Sequence, residues 1–499
     1  MLLQCFVVAK HRWTRRAYIM ADKRIRIHSP GKQTGKYILY WMQQAQRIEY
    51  NHALSYAISK AKRCGLPLVV LFVVSDDVPD ANSRHYYFML QGLWEVATAL
   101  HKQGISFYFA CGEVVEVVAA VAEDALEVVA DHGYLRFQRQ WRTELATKLS
   151  EQSTAYTEIE TEAIVPVTQV SDKEEYSAAT IRRKIVRLLP GVDLEPDTEV
   201  YKPVSIPNIR VNYPVYNVEN TGFPSLWKWV NQHLKLDDSV APVLAMQGGA
   251  TAAKGKMHDF TMHKLALYQH QRNNPALDIQ SGLSPYLHFG QISAMEIVQH
   301  ILRNEGVSLG DLSLMLSNKR SVSPRYAGIA SFAEELIIRR ELSFNFCHYN
   351  PYYDTFSCLP AWAKATMLDH LPDIREEHYS LDRLEQCDTS DVYWNAAQME
   401  MMQTGKMHNY MRMYWGKRLL AWCDSPEDAY QILLYLNNRY EQDGRDPNAY
   451  AGIAWCFGKH DRPWMNRKIY GMVRYMNAAG LERKYDMDAY LQKVTPDKR

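Results

Sequence analysis

The sequence has almost no net charge, no closely paired cysteines and no long hydrophobic run. Its 57 Lys and Arg residues nearly balance 56 Asp and Glu residues, so a nucleic acid could be bound only through a local basic face. The eight cysteines include no C-x-x-C pair, which excludes the common zinc and iron–sulfur spacings and favours reduced thiols in a cytosolic setting. The longest apolar run, "LPLVVLFVV" from Leu66 to Val74, is far shorter than the roughly 20 residues that a membrane helix needs.

Residues 1–36 differ from the rest of the chain in charge. They carry nine Lys or Arg residues against a single Asp, and Ser29, Pro30 and Gly31 lie near their end. We expect a disordered basic extension, or an upstream start codon with the true start near Met20. An organelle-targeting or DNA-contacting arm is the alternative interpretation.

Residues 37–166 alternate between strand and helix patterns. The apolar run before Ser75 predicts a buried strand, and "ISFYFACG" and "EVVADHGY" predict two more, separated by helical stretches such as "FMLQGLWEVATALHKQG". This alternation is typical of a doubly wound parallel sheet. No G-x-G-x-x-G motif accompanies it, and "GKQTGKY" (residues 31–37) departs from the phosphate-loop spacing.

The remaining chain divides into a connector and a helical part. Residues 167–225 lose periodicity and collect several prolines, which predicts a long interdomain connector. In residues 226–499 helical patterns dominate, including one over residues 390–422 and another, "RKIYGMVRYMNAAG", over residues 467–480. The predicted fold is therefore an N-terminal α/β domain with a doubly wound parallel sheet, followed by an all-α domain.

Indole and thioether side chains are concentrated between Asp391 and Trp422. Trp415 and Trp422 are seven residues apart, so on one helix they share a face with about 10 Å of rise between them. Tryptophans at this separation could pass an electron along the chain. A core helix that uses indoles for packing is the other interpretation of the same pattern.

Three further motifs are compatible with chemistry, although each alone fits an ordinary structural role. "SGLSPYLHFGQIS" is a hydroxyl-rich loop that runs into a helix start and suits phosphate oxygens. "EELIIRREL" places Glu335 and Arg339 four residues apart on one helical face. "DGRDPNAYAGIAWCFGKHDRPW" interleaves basic and aromatic residues, as in loops that hold phosphates and stack on bases.

Together, these motifs and "WNAAQMEMMQTGKMHNYMRMYWGKRLLAW" resemble the class II cyclobutane pyrimidine dimer photolyases of the photolyase/cryptochrome superfamily. The motifs occur in family order, and the resemblance runs from about Tyr37 to the C-terminus and is densest after Ala266. It implies a monomeric enzyme that acts on DNA containing cyclobutane pyrimidine dimers, without a metal or a membrane. Excited reduced FAD would donate an electron to a flipped-out dimer, the ring would split, and the electron would return.

The resemblance also implies how the helical domain, residues 226–499, holds FAD. The diphosphate side would be contacted by Tyr268, Ser281, Gly282, Leu283 and Ser284, and the isoalloxazine side by Asn409, Arg412 and Asp443. Arg412 and Asp443 would form an ion pair that favours the anionic reduced flavin. Where class I enzymes place an Asn near N5, this chain has Ala449, and Asn437 resembles the class II replacement. The α/β domain, residues 37–166, would hold an antenna chromophore, for which family analogy favours a deazaflavin over a folate.

Electron transfer and substrate binding are implied in the same way. The class I tryptophan near the flavin corresponds to Ile453, and the class II route would run from Trp415 through Trp394 to Trp422, with Tyr379 as an extra donor. A largely buried Glu335 would hydrogen-bond a pyrimidine carbonyl, and Trp455 and Met413 would line the lesion pocket. The DNA contacts expected beside Trp455 are Arg339, Asp461, Arg462 and Trp464.

Three alternatives use parts of the same pattern. A cryptochrome-like blue-light photoreceptor shares the fold and flavin, but Glu335 and Trp455 stand at repair positions. A light-independent flavoprotein would have no use for all three tryptophans, and the histidine pair typical of (6-4) photoproduct enzymes has no place in these motifs. The expected location is the cytoplasm beside the nucleoid in a prokaryote, or the nucleus or an organelle in a eukaryote.

Overall fold

The computed structural model describes residues 23–31, 34–196, 199–201, 204, 212–218, 222–318 and 321–495. A seven-stranded sheet forms the N-terminal part, in the order β1-β6-β5-β2-β3-β4-β7. Its five central strands are parallel, whereas β1 and β7 pair antiparallel at the two edges. The strands are β1 Ile25–Ser29, β2 Tyr37–Trp41, β3 Leu68–Val74, β4 Ser106–Cys111, β5 Ala125–Asp131, β6 Ala155–Ile159 and β7 Val215–Asn217.

Helices cover both faces of this sheet, as the alternating pattern predicts. One apolar layer packs the sheet against α1 and α2, and the other packs it against α3 and α4. The strand β3 is buried along its whole length, which explains its continuous apolar sequence. The helices are α1 His52–Cys64, α2 Ser83–Lys102, α3 Val114–Ala122 and α4 Arg136–Glu151.

The basic extension is not entirely outside the fold. The prediction that residues 1–36 are disordered is wrong for β1, whose Ile25 pairs with Ile159 of β6. The Arg24 guanidinium is buried and donates hydrogen bonds to the carbonyls of Ala163 (2.7 Å) and Ile164 (2.6 Å). The pairing with β6 and the hydrogen bonds of Arg24 to backbone carbonyls hold β1 in place, although its sequence is basic. Residues 1–22 lie outside the described residues.

The connector also contains regular structure. The helices α5 Val167–Val170 and α6 Ala178–Leu188 fall within residues 167–225, as does the edge strand β7. Ile181 and Ile185 of α6 are fully buried, so the loss of periodicity expected for this segment is wrong there. The prolines that suggested a bare linker lie mainly beyond this helix.

The C-terminal part is helical, as predicted. Outside the sheet, the described residues contain one isolated β-bridge, between Arg467 and Gly471. Two π-helical stretches, Phe260–Lys264 and Glu334–Arg339, interrupt the α-helices. The α-helices are α7 Phe223–His233, α8 Ala250–Asp259, α9 Tyr268–Gln271, α10 Ser284–His288, α11 Ala294–Glu305, α12 Leu309–Ser317, α13 Ala327–Ala333, α14 Arg340–Tyr349, α15 Ala361–Asp369, α16 Leu381–Glu385, α17 Val392–Thr404, α18 Asn409–Trp422, α19 Pro426–Tyr440, α20 Pro447–Cys456, α21 Ala478–Glu482 and α22 Met487–Val494.

Two predicted helices differ from the structure. The run over residues 390–422 is divided into α17 and α18, because Gly405 adopts φ +69° and ends α17. The helix predicted over residues 467–480 is wrong, because Ile469 and Gly471 both adopt left-handed backbone conformations. That segment forms the isolated bridge instead, and only α21 remains helical.

Buried polar contacts join the two domains. Arg84 of α2 donates hydrogen bonds to the carbonyls of Met402 (2.5 Å) and Tyr440 (2.7 Å), and the neighbouring His85 ring contacts the Glu441 carbonyl at 3.0 Å. A Cβ atom added at Gly290 would lie 1.8 Å from the Gln44 carbonyl oxygen. The two domains therefore meet in backbone-to-backbone contact at some points.

Candidate functional site

A continuous row of aromatic rings runs along α17 and α18. Trp394 stacks on Trp415 with ring centroids 6.1 Å apart and an interplanar angle of 17°. On its other side, Trp394 meets Trp422 edge-on at 5.4 Å, and Tyr379 meets Trp422 edge-on at 5.0 Å. The break at Gly405 makes this possible, because it folds α17 back so that Trp394 lies between the two tryptophans of α18.

The row leads from the core toward the surface. Trp394 and Trp415 are fully buried and Trp422 nearly so, whereas Tyr379 is partly exposed. The Trp394 indole N–H donates to the Trp415 carbonyl at 3.1 Å, and the Trp415 N–H donates to Gln398 Oε1 at 3.0 Å. These bonds hold the two inner rings in fixed orientations.

One turn before Trp415, α18 presents Arg412, whose partner differs from the prediction. The expected ion pair was with Asp443, but the Arg412 guanidinium pairs with Glu441, at 3.0 Å from Oε1. The Met407 N–H donates to the same carboxylate oxygen at 3.0 Å. Glu441 was not among the predicted site residues, and its only signal in the sequence is its position two residues before Asp443.

The two acids share the charge beside Arg412 unequally. Burial raises the pKa of Glu441 to about 8. The positive charge of Arg412 acts to lower this pKa, and the negative charge of Asp443 acts to raise it. Burial also acts to raise the pKa of Asp443, but Arg412 and a hydrogen bond from Ser284 lower it below its usual range. Near neutral pH, Asp443 therefore carries the negative charge and Glu441 holds a proton.

Several buried polar atoms around this pair have no partner within the described chain. They include both amide atoms of Asn437, Arg412 Nε and Glu441 Oε2. Asn437 is fully buried, and an unsatisfied buried amide is unfavourable by about 1–3 kcal/mol. An isoalloxazine ring presents carbonyl oxygens and ring nitrogens along one edge, so these donors and acceptors fit a flavin.

The loop predicted to hold the flavin diphosphate lies beside this cluster. Gly282 adopts φ +69°, and α10 begins at Ser284. Leu283 and Tyr268 are buried, and Ser281 and Ser284 are partly exposed. Asn409, the first residue of α18, is exposed.

Glu335 and Arg339 lie on the π-helical stretch between α13 and α14, a feature often found at functional sites. Glu335 was expected to be largely buried, but a third of its side chain is exposed, and it pairs with Arg272 at 2.5 Å. Arg272, which the sequence analysis missed, also lies over the Tyr268 ring at 5.6 Å. The carboxylate thus stands at an open surface with a cation beside it.

Arg339, on the same stretch as Glu335, lies beside the predicted lesion pocket. Its guanidinium carbon lies 5.8 Å from the centroid of the Trp455 ring, and Trp455 is partly exposed. Met413 lies on α18, one residue after Arg412, and is nearly buried. The structure therefore brings together Arg339 and Trp455, which were chosen from separate motifs.

The predicted DNA-contacting loop projects an aromatic ring. Trp464 is 40% exposed, and its N–H donates to Asp461 Oδ2 at 3.3 Å. The guanidiniums of Arg462 and Arg474 lie 5.5 and 4.9 Å from the Trp464 ring centroid. An exposed indole between two cations suits contact with a base and its phosphates.

A cavity lies between the two domains, at the carboxyl ends of the sheet strands. Its volume is about 100 Å³. Gln43, Val74 and Trp141 line it from the α/β domain, and His288 and Arg445 from the helical domain. An antenna chromophore was predicted for the first domain, without particular residues to hold it.

The described residues contain neither a membrane-crossing helix nor a metal-ligand cluster. No helix in the described part of the chain has the length and apolar character needed to cross a membrane. Across the same residues, no group of three or more His, Cys, Asp or Glu side chains is arranged to hold a metal ion.

The sequence matches the family model described as DNA photolyase over residues 38–202. It is 43% identical to the deoxyribodipyrimidine photo-lyase of Methanothermobacter thermautotrophicus, over 92% of this chain and 95% of that protein. It is 37% identical to the deoxyribodipyrimidine photo-lyase of Arabidopsis thaliana, over 94% of this chain and 92% of that protein.

Solved structures share the fold at low sequence identity. A bacterial class III photolyase from Agrobacterium tumefaciens superposes with a TM-score of 0.68 at 18% identity, covering 93% of this chain and 87% of that one. An archaeal photolyase from Sulfolobus tokodaii, solved with two FAD molecules, gives a TM-score of 0.66 at 15% identity, covering 92% and 91% of the two chains.

Proposed function

Because the chain belongs to the DNA photolyase family, we propose that it repairs cyclobutane pyrimidine dimers in DNA with light absorbed by bound reduced FAD. The relatives named as deoxyribodipyrimidine photo-lyases span nearly its whole length, which supports this reaction. We further propose that it is a class II enzyme that acts as a monomer, in the cytoplasm beside the nucleoid in a prokaryote or in the nucleus or an organelle in a eukaryote.

The row of rings that ends beside the buried polar cluster carries this proposal. Trp415 lies one helical turn after Arg412, so the innermost ring and the proposed flavin contacts share a face of α18. The order Trp415, Trp394, Trp422 in space supports the class II electron route. Ile453, at the class I tryptophan position, is buried among apolar side chains.

FAD, when bound, supplies the one-electron donor that light excites. The chain's own residues would position it and set its charge. The Arg412 cation, balanced by Asp443, would favour the anionic reduced form, and the Asn437 amide would hydrogen-bond the ring edge. Ser281 and Ser284 would contact the diphosphate through hydroxyl and backbone N–H groups.

The residues near the π-helical stretch would receive the lesion. Trp455 and Met413 would form the walls of the pocket, and Glu335, in its protonated form, would donate a hydrogen bond to a pyrimidine carbonyl beside the Arg272 guanidinium. A hydrogen bond to that carbonyl stabilises the negative charge that develops as the dimer accepts an electron. Arg339, Asp461, Arg462 and Trp464 would contact the surrounding DNA.

Chromatographic measurement of dimers in irradiated oligothymidylate tests this function. Protein with chemically reduced flavin should remove dimers under near-UV or blue light and leave them unchanged in the dark. Glu335→Ala should lower the repair yield, whereas Glu376→Ala, at an exposed position in a loop, should not. Unchanged dimer content with reduced flavin bound would reject repair and favour the photoreceptor.

We also propose that the cavity between the domains holds an antenna chromophore. Aromatic and amide side chains line it, which suits a flat conjugated ring, and family analogy favours a deazaflavin over a folate. Reconstitution with each compound, followed by extraction and an action spectrum of repair, distinguishes the two. Failure of both to bind would contradict this assignment.

A further inference from the structure

The outer end of the ring row carries a carboxylate to which no role has been assigned. Glu377 lies in the loop between α15 and α16, and its Oε1 accepts a hydrogen bond from the Ser390 hydroxyl at 2.5 Å. The backbone N–H of the same Ser390 donates to the Tyr379 hydroxyl at 3.0 Å. Tyr379 and Trp422 both lie close enough to lower the pKa of the Glu377 carboxyl. One acid therefore lies beside both outer members of the row.

Two arginines lie over the same two rings. The guanidinium carbon of Arg418 is 4.8 Å from the Trp422 ring centroid, and that of Arg383 is 4.9 Å from the Tyr379 centroid. A cation is attracted by the face of a neutral ring but repels the positive charge of an oxidised one. An oxidised Trp422 or Tyr379 is therefore favoured once it has lost its proton and become a neutral radical.

Glu377 is an ionised base at neutral pH. The hydrogen bond from Ser390 lowers its pKa below the usual range, against the effect of burial, and Tyr379, Arg418 and Trp422 lower it further. Its side chain is partly exposed, so a proton that it receives can pass to water.

Among the described residues, the inner rings have no comparable base. The Trp394 N–H donates to a backbone carbonyl, and the Trp415 N–H donates to the amide oxygen of Gln398. Amide oxygens are very weak bases. A positive charge on either inner ring can move outward, but in the described part of the chain its proton has only these weak bases beside it.

We propose that the Glu377 carboxylate accepts the proton released when the outer pair, Trp422 and Tyr379, is oxidised. This inference rests on the proposed electron route. One electron passes from the outer ring to oxidised Trp394. Trp394 has itself given an electron to Trp415, and the net result is the transfer of one electron to the flavin. The N–H bond of Trp422 or the O–H bond of Tyr379 breaks, and an O–H bond forms on Glu377. Return of the electron then requires return of the proton, so the separated charges persist longer.

Flash photolysis of the flavin-loaded protein tests this step. The absorption bands of the protonated and neutral tryptophan radicals and of the tyrosyl radical are followed in H₂O and D₂O, starting from oxidised flavin. Glu377→Gln should slow formation of the neutral radical by at least about tenfold, since general bases contribute about 10²–10⁴-fold. Glu377→Asp should restore part of the rate. Glu376→Gln, at the exposed neighbouring position, is the matched control and should behave as wild type.

The outcomes separate this inference from the electron route. If oxidised tryptophan forms in the Glu377→Gln protein and loses its proton at the wild-type rate, Glu377 is not the acceptor. If no tryptophan or tyrosine radical forms in wild type, the electron route itself is wrong. Bound-flavin absorbance confirms that each variant is folded and loaded.

Discussion

Replacing Glu441 by glutamine tests how the acids beside Arg412 share a proton. Burial raises the pKa of Glu441 to about 8, even though Arg412 lies 3.0 Å away, because Asp443 already balances that cation. An acid with a raised folded pKa keeps its proton after the unfolded chain has released it. Its contribution to stability is complete below pH 4.5 and is lost as the pH rises to about 8.

The size of this loss follows from the pKa difference. A rise from 4.5 to about 8 corresponds to at most about 5 kcal/mol over that pH range. Glutamine has a similar shape and is neutral at every pH. The Glu441→Gln protein should therefore match wild type within about 1 kcal/mol at pH 5.5 and exceed it by about 1–3 kcal/mol at pH 8.

Urea unfolding of the flavin-loaded protein at pH 5.5, 7 and 8, followed by flavin release, measures this effect. Glu341 is also buried with a pKa raised to about 8, but it is present in both proteins and cancels in the difference. Glu151→Gln, at an exposed position, controls for the loss of an acidic side chain. Equal pH dependence in wild type and Glu441→Gln would refute the reasoning, as would a variant that is less stable at pH 8.

Three further predictions concern other parts of the molecule. Trp415→Phe should abolish photoreduction of oxidised flavin, while chemically reduced protein still repairs dimers; wild-type photoreduction would contradict the route. Asn437→Leu should stabilise flavin-free protein by about 1–3 kcal/mol in urea unfolding and weaken flavin binding in a fluorescence titration, because it removes the unsatisfied buried amide. Gly290→Ala should lower stability by at least about 2 kcal/mol, because its Cβ would meet the Gln44 carbonyl, whereas Gly306→Ala, with similar φ and open space, should cost only about 1 kcal/mol.

The sequence was most informative where a local pattern determines the structure. The buried strand β3 follows from seven apolar residues, and the change from alternating elements to helices marks the second domain. The edge strands β1 and β7 were missed because they are short and polar, and because distant parts of the chain pair with them. The helix break at Gly405 was missed because the periodic pattern continues across it.

The candidate site was predictable only in part for the same reason. Trp394, Trp415 and Trp422 could be chosen from motifs, but the stacking order depends on how two helices fold together. Glu441 and Glu377 belong to no motif and acquire their surroundings from long-range packing. Their roles could not be read from neighbours along the chain.

The contacts made by Arg84 and His85 have a consequence for light harvesting. His85 lines the cavity between the domains and also contacts the backbone carbonyl of Glu441, beside the proposed flavin contacts. One helix of the first domain is thus anchored at both places where a pigment would sit. The separation and relative angle of two such pigments would be held by the packing of this helix against the second domain, and excitation energy could pass between them without any domain motion.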